Sequence, residues 1–405
     1  MKKFKALILG AGYRGRAYAQ YAQLHPEQLE IVGVADPVQA ETIPASRCWS
    51  DWKDCLEEKP EADIVIIATP DELHYEPAMT ALELGYHILL EKPISPTEEQ
   101  CREIIAKALR KRKLVFVGHV LRFSPAYARI KALIASGEMG EVVSINHQES
   151  AGYFKIAHSY VRGIFNNSQR SSPIILAKCS HDFDLFSWWL SGKRCRKVAS
   201  IGSLSHFIKK NRPRGASDMC VTCPERIEKN CVWSAKKMYL ESTDLHYLFA
   251  DPTRATMQNV VEKSRFGRCV YCCDNDVPDH QAVLMEFDGG VTVSHLMTGF
   301  TSQNMRTTRI SCTKGEIIFD GTELHVKLFS GDTAKSEVPK ELRGGNYSRH
   351  GGGDLNLVAA MLRILDENDE KKICEINRMS LQSHVISFAA EHSRKLGGIQ
   401  IEFSD

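Results

Sequence analysis

One hexapeptide narrows the folds open to this chain more than any other feature. Gly10-Ala11-Gly12-Tyr13-Arg14-Gly15 follows directly on a short apolar run at 6–9. Between a strand and a helix, each glycine of such a turn has its own task. Gly10 permits the tight turn, Gly12 lets the backbone approach a pyrophosphate, and Gly15 lets helix and strand pack closely. The new helix then aims free N–H groups at the phosphates, with Tyr13 and Arg14 expected against the same cofactor. Asp36 ends a second apolar run, 21 residues (36 − 15) after Gly15. A carboxylate there accepts hydrogen bonds from ribose hydroxyls and repels a 2′-phosphate, so NAD is expected over NADP by roughly a hundredfold. Pro37 puts no arginine beside it, and only Arg14 or Arg47 folding over would change that expectation.

The pattern continues in the same style for 120 residues. Short runs rich in Val, Ile and Leu at 6–9, 31–36, 64–68, 87–90 and 115–118 alternate with helix-sized segments such as 76–84 and 98–109. This predicts an α/β fold with a doubly wound parallel sheet covered on both faces. Ser95-Pro96-Thr97-Glu98 reads as a helix start, with Ser95 capping and Pro96 at the first helical position. At 405 residues a second domain is expected, and the boundary is placed between 122 and 123. The 52 basic and 50 acidic residues nearly cancel and form no basic face, which argues against nucleic-acid or membrane-surface binding. The run 110–113 is a solvated helix end. No stretch has the length of a membrane span, and the start of the chain reads as a first strand rather than a leader. Thirteen cysteines without a secretion signal point to a reducing, cytoplasmic setting.

Glu91-Lys92-Pro93 ends the fifth strand, at the carboxyl edge where open α/β sheets bind ligands. Together with the glycine turn, Ala68-Thr69-Pro70 and His74, it resembles the glucose–fructose oxidoreductase/inositol dehydrogenase (Gfo/Idh/MocA) family. Arg122-Phe123-Ser124-Pro125, Gly137-Glu138-Met139-Gly140-Glu141 and Lys178-Cys179-Ser180-His181-Asp182 are similar to that family's later landmarks. The resemblance implies an α+β second domain, residues 123–405, built on a large open mixed β-sheet. It also implies a carbohydrate-like small-molecule substrate between that sheet and the nicotinamide, and a homodimer or homotetramer covering the open face. Thr69, Pro70, His74, Glu91 and Lys92 would join the glycine turn and Asp36 as cofactor-binding residues. The pattern agrees independently: alternating runs at 142–147, 283–287 and 291–296 read as strands, with Asp288-Gly289 as a hairpin turn between the last two. Asp320-Gly321 repeats the device between 317–319 and 324–328, and helices are expected at 355–365 and 381–396.

Oxidising a secondary alcohol needs a hydride acceptor and removal of the hydroxyl proton. The resemblance assigns these surroundings to Lys92 and His181. A histidine of ordinary pKa near 6.5 is the natural proton acceptor, and a lysine near 10.4 the natural donor that polarises the oxygen. Burial beside a cationic ring would lower the lysine and reverse the roles. Inositol dehydrogenases carry an Asp four residues before this histidine, where this chain has Ala177, and Lys178 follows as a substrate contact. Arg122, His158, Arg162, Asp182 and His280 are further polar groups expected at a sugar site. Arg162 there would suit an acidic sugar, because a guanidinium pairs a carboxylate bidentately.

Cys220-Val-Thr-Cys223, Cys231, Cys269 and Cys273 cluster in an insertion-like segment, about 207–280, rich in charge and poor in apolar period. Two thiolates on one tight turn suit tetrahedral zinc, and Cys220, Cys223, Cys231 and Cys269 form the expected set, with Cys273 as substitute. Free thiols, a disulfide and an iron–sulfur cluster are the alternatives. Functionally, the leading expectation is an NAD-dependent dehydrogenase of a sugar, sugar acid, glycoside or cyclitol. A redox-neutral hydrolase that reduces NAD only transiently and a non-enzymatic dinucleotide sensor are its rivals.

Overall fold

The computed structural model describes residues 2–242, 245, 248–249, 252–331, 333–336 and 352–403. The first domain runs β1 (Phe4–Leu9), α1 (Tyr13–Leu24), β2 (Leu29–Ala35), β3 (Cys48–Trp49), α2 (Trp52–Glu57) and β4 (Ile64–Ile67). It continues with α3 (Tyr75–Glu83), β5 (His87–Leu90), α4 (Glu98–Lys111) and β6 (Val115–Val117). The strands lie parallel in the order β3-β2-β1-β4-β5-β6. Strand order reverses between β1 and β4, which opens a crevice at their carboxyl ends. Every residue of β4 is buried, as a strand covered by helices on both faces must be. The two-residue β3 is too short for hydropathy to reveal. The start of α4 differs from expectation: Thr97, not Ser95, is the cap, accepting the Gln100 N–H at 3.3 Å. Ser95 is drawn to the Gln100 side chain instead, and Thr97-x-x-Gln100 makes its own capping pattern.

A 3₁₀ turn, Val120–Phe123, leads into α5 (Pro125–Ala135), β7 (Val142–Ser150) and α6 (Tyr153–Lys155), which runs on as a π-helix over Ile156–Arg162. Next come α7 (Ile174–Ala177), α8 (Ser180–Trp189) and β8 (Cys195–Ser203), and then the cysteine-bearing insertion with α9 (Glu225–Glu228), α10 (Ala235–Leu240) and α11 (Arg254–Lys263). Strands β9 (His280–Phe287), β10 (Val291–Thr298), β11 (Met305–Cys312), β12 (Gly315–Phe319), β13 (Leu324–Leu328) and β14 (Thr333–Ser336) complete most of a second sheet. Helices α12 (Gly353–Glu367) and α13 (Glu370–Lys395) and the short β15 (Ile401–Glu402) close the chain. The second sheet has the order β14-β13-β12-β11-β7-β10-β9-β8-β15 and is mixed, with β7 and β10 parallel. The β9–β10 hairpin turns at Gly289 and Gly290, both at positive φ (78° and 74°), beside the expected Asp288. One face packs on α8 and α13, while Val143, Ile201, Leu284 and Leu296 stand exposed on the strands.

The insertion is less polar inside than its composition suggests. Phe207, Trp233, Met238, Tyr239, Met257 and Val270 join the core of the second domain. The closing helices, in turn, return to the first domain. Leu357, Met361 and Leu362 of α12 share a core with Phe4, Ile8 and Tyr18. Helix α13 stitches both sheets together through its polar side chains. Asn377 receives the Val115 N–H and donates to Lys113 O, both at 2.9 Å, and the Ser393 hydroxyl receives the Ser200 N–H at 2.9 Å. Among the described residues no helix is long and apolar enough to cross a membrane.

The buried His384 and the half-buried His87 make this framework sensitive to acid. His384 Nε2 accepts the Ile94 N–H at 2.9 Å, and His87 Nδ1 accepts the Leu114 N–H at 3.0 Å. Each ring must stay neutral to accept. Burial, reinforced by His119, lowers His384 to about 3, and burial with Lys113 lowers His87 to about 4. Both folded values lie below the unfolded one near 6.5, so their stabilisation is present above pH 6.5 and is lost as pH falls. Each should cost about 1.4 kcal/mol per pH unit below that point. Chemical denaturation between pH 7 and 4 should therefore show a steep fall in stability. His384→Gln, which keeps an acceptor and cannot titrate, should flatten it by about one proton; an unchanged slope would sink this account.

Candidate active site

Between the domains lies a cleft of about 1530 Å³, and Gly12, Asp36, Thr69, Pro70, Lys92 and His181 are among the residues in its wall. Tyr13 and Arg14 also reach it. The glycine turn is built as a backbone cradle. A Cβ on Gly15 would sit 2.0 Å from Gly10 O, and one on Gly10, at φ +97°, would sit 2.7 Å from Ala68 O. A Cβ on Gly12 would meet nothing within 4 Å, because that position faces the cleft. Helix α1 starts there without a side-chain cap, leaving its first N–H groups open to an anion. These features fit a dinucleotide pyrophosphate.

Asp36 is held by the backbone. Its Oδ2 accepts the Ala11 N–H at 2.8 Å, and its Oδ1 accepts those of Val38 and Gln39 at 2.9 Å. Neither arginine that would neutralise a 2′-phosphate stands beside it. Arg47 lies over Trp49 and pairs with Glu58. Arg14 turns the other way, with Nε 2.6 Å from Glu91 Oε1, Nη1 2.8 Å from Asp354 Oδ1 and Nη2 donating to the Tyr18 hydroxyl at 2.8 Å. Arg14 and Glu91 thus touch the cleft but spend their charges on each other. His74 is fully buried, its ring nitrogens 2.8 Å from Pro93 O and 2.9 Å from Thr69 O. It is a strut joining two cleft loops, a correction to its expected place against the cofactor.

Lys92, before a cis proline, sends its ammonium across to the second domain, where Nζ donates to Ala177 O at 2.7 Å. The acceptor is thus the main chain of Ala177, the residue that stands where the sequence offers no carboxylate. Burial lowers the pKa of Lys92; Asp71 and Glu91 oppose this, while Lys178 and Arg14 add to it. Asp71, buried and receiving the Ser172 hydroxyl at 3.0 Å, is a site residue that sequence reading passed over, although it directly follows Thr69-Pro70. His181 lies in the first turn of α8, largely buried, with its ring edge-on to His119 at 5.9 Å between centroids.

Lys178 lines the cleft, held by Glu149 at 2.9 Å and Asn304 at 3.3 Å. Arg306 of β11, unremarked in the sequence, lines it too. Its guanidinium bridges Glu149 at 2.6 Å and Asp182 at 2.5 Å. Asp182 also faces His295 Nε2 at 3.1 Å and His147 Nε2 at 3.4 Å. Burial would raise the Asp182 carboxyl, but Arg306 and the two histidines hold it well below the usual carboxylate range. His147, Asp182 and His295 converge as metal ligands do, yet the Arg306 cation already serves that carboxylate.

Five expected substrate contacts point elsewhere. Asp182 is wholly buried in the network just described. Arg122 makes a two-pronged pair with the buried Asp184. His158 stacks on Phe266 at 4.7 Å, with Nδ1 3.0 Å from the Tyr239 hydroxyl, and burial lowers it to about 3. Arg162 is buried in the insertion, so it gives no reason to expect an acidic sugar. His280 packs beside Asp279 at 2.8 Å, where Asp279 holds the loop at Ser205 and His206. In each case the side chain is engaged by neighbouring protein groups instead of being aimed into the cleft.

Residues 4–119 match the family described as the oxidoreductase family with an NAD-binding Rossmann fold, Gfo/Idh/MocA. Among curated relatives, a putative oxidoreductase of Bacillus subtilis (strain 168), YteT, is 24% identical over 65% of this chain and 61% of its own length. An inositol 2-dehydrogenase of Corynebacterium glutamicum (strain ATCC 13032) is 27% identical over 51% of this chain and 60% of that protein. These alignments therefore span about three fifths of the relatives. A levoglucosan dehydrogenase solved with NADH and levoglucosan is 18% identical, covers the whole of both chains and has a TM-score of 0.72. That likeness extends the shared fold to the second domain.

The glycine geometry makes a paired prediction. Gly12→Ala should fold with a melting temperature near that of the parent, yet bind NADH about tenfold or more weakly, as its methyl projects into the cradle. Gly15→Ala must displace the Gly10 carbonyl, and should lose about 3 kcal/mol or more of stability. Equal melting temperatures for the two variants would refute this reading of the turn.

Proposed function

We propose that the chain is an NAD-dependent oxidoreductase acting on a secondary hydroxyl of a sugar, sugar acid, glycoside or cyclitol. The observation that carries this reading is the meeting, in one cleft, of the cradle at Gly12, the Asp36 carboxylate, Lys92 from the first domain and His181 from the second. NAD bound there would supply the hydride acceptor. Gly12 and the open N–H groups of α1 would hold its pyrophosphate, and Asp36 its ribose.

This chain's own groups would do the rest. The Lys92 ammonium has three donors, and Ala177 O takes one, leaving the others for a substrate oxygen. His181 would accept the hydroxyl proton. The lowered pKa of Lys92 makes it a ready proton partner, so the two residues divide the acid and base roles across the bound alcohol. Lys178 and Arg306 stand by with charges fixed through Glu149, able to hydrogen-bond further hydroxyls. The exposed Val143, Ile201, Leu284 and Leu296 support a homo-oligomer in which the open sheet face is covered, and the thirteen unpaired cysteines support a reducing, cytoplasmic setting.

Absorbance at 340 nm over a panel of sugars, sugar acids, glycosides and cyclitols tests the activity. Net NADH is expected; product without NADH would favour the redox-neutral hydrolase, and neither would favour a sensor. Once a substrate is found, Lys92→Ala should keep NADH affinity and lower single-turnover hydride transfer by roughly a hundredfold or more. Lys92→Arg should rescue little, because a planar fork replaces a compact donor. Normal turnover in Lys92→Ala would remove the site assignment.

Fluorescence titration with NADH and NADPH tests Asp36 separately. Clear preference for NADH is expected; comparable affinities would mean that another cation reaches the 2′-phosphate.

A further inference from the structure

The insertion contains two turns of the same construction, placed side by side. Met219 and Arg268 pair in an isolated antiparallel bridge, and each directly precedes a Cys-x-x-Cys segment. The second of these, Cys269-Val-Tyr-Cys272, was not apparent as a pair in the sequence reading. Each turn is closed by its fourth residue, Cys223 N–H donating to Cys220 O at 3.3 Å and Cys272 N–H to Cys269 O at 2.9 Å. The Met219–Arg268 bridge sets the first cysteine of one turn beside the first of the other. Cys220 is buried in the core of the second domain, and Cys231 and Cys269 pack half-buried against that same core. Cys272 interacts with both the Cys269 thiol and Asp218, and Cys273 donates to Cys269 O at 3.4 Å.

A second, independent observation concerns charge. Arg162 is 1% exposed and reaches into this cluster. Its Nε donates to Arg268 O at 2.7 Å, Nη2 to Trp233 O at 2.6 Å, and Nη1 lies 3.3 Å from Met238 Sδ. Nη2 also lies 3.8 Å from Cys220 Sγ. Among the described residues no carboxylate forms an ion pair with it. A guanidinium keeps its charge in proteins, and burying one with no counter-charge is strongly unfavourable. The groups around it that can become anions are thiols, Cys220 Sγ among them, and the Tyr239 hydroxyl, which burial pushes up to about 12.

We propose that Cys220, Cys223, Cys231 and Cys269 bind a thiophilic metal as thiolates, and that this anionic centre is the counter-charge of Arg162. Four thiolates leave a net negative charge on a zinc ion and on an iron–sulfur cluster alike. The sulfurs stand wider than a closed single-ion site: no three of them lie mutually within 4.8 Å among the described residues. A zinc ion, with Zn–S of ~2.3 Å, would draw them inward, whereas a cluster would fill the wider space. The centre stands apart from the hydride-transfer site, and the proposal does not depend on that reading.

The full chain, purified anaerobically without added metal, is assayed for zinc, iron and acid-labile sulfide. About one zinc, or several irons with matching sulfide, is expected per chain. X-ray absorption at the metal edge should show a sulfur-only ligand shell from the protein. Cys223→Ser and Cys231→Ser should lower metal content at least fivefold, and Cys374→Ser, on α13, should leave it unchanged. Arg162→Gln should make the metal at least tenfold easier to remove by a chelator. If these variants are insoluble, the parent protein decides: millimolar chelator or a mercurial should release the metal and lower the melting temperature. Less than a tenth of an equivalent of metal, with a melting temperature indifferent to added zinc and to iron–sulfide reconstitution, would overturn the proposal. So would a disulfide within the cluster in that protein.

Discussion

The buried carboxylate of Glu91 is the point on which the first domain turns. It receives the Arg14 guanidinium at 2.6 Å, the Tyr18 hydroxyl and, at 3.2 Å, the Lys92 N–H, while Arg14 passes on to Asp354 at the start of α12. Burial would raise this carboxyl, and Arg14 and Tyr18 hold it below its usual range. A buried charge of this kind is tolerated only with all its partners, and removing one typically costs about 3–5 kcal/mol. That cost fixes geometry as well as stability. Gly12 stands two residues before Arg14, and Lys92 one residue after Glu91. The cradle and Lys92 are therefore positioned by the same ion pair.

The second domain repeats the device. Glu149 and Arg306 face each other in the register of β7 and β11, Arg306 continues to Asp182, and Lys178 closes on Glu149. Two carboxylates meet two cations, and the rings of His147 and His295 complete the shell of Asp182. Burial lowers the pKa of His147, against the pull of Asp182. Because Asp182 follows His181 directly, anchoring one fixes the other at the cleft. The Lys92–Ala177 bond then ties the two anchored systems together across the domain boundary.

This arrangement explains which parts of the site were legible in the sequence. The glycine turn, Asp36 and the strand-end Lys92 are read from local context, because backbone conformation and position along a strand decide their roles. Strands β1, β4, β5 and β13 follow from apolar runs or alternation for the same reason. The direction of a long charged side chain has no local signature. Arg14 finds Glu91 across 77 residues, Arg122 finds Asp184 across 62, and Asp182 meets His295 across 113. Arg122, Arg162, Asp182 and His158 therefore looked like substrate contacts until their distant partners were in view. Arg306, within an ordinary alternating strand, gave no sign at all. The insertion misled in the opposite sense, since its aromatic residues are too widely spaced to make a period yet close into one core.

That core bears on the cleft through a single element. The π-helix Ile156–Arg162 presents Tyr160 to the cleft and Arg162 to the cysteine cluster. A π-helix is a strained way to wind a backbone and persists where its surroundings fix both faces. Here Gly163 ends it against His158 O and Ser159 O, too close for any Cβ, and Arg265 clamps the carbonyls of Arg162 and Gly163. Arg162 anchors the far side through Arg268 O and Trp233 O. Whatever holds the guanidinium in place therefore also holds the cleft wall at Tyr160. The insertion is thus a buttress behind the cleft wall at Tyr160, and the order of its cysteine turns sets how firmly that wall stands.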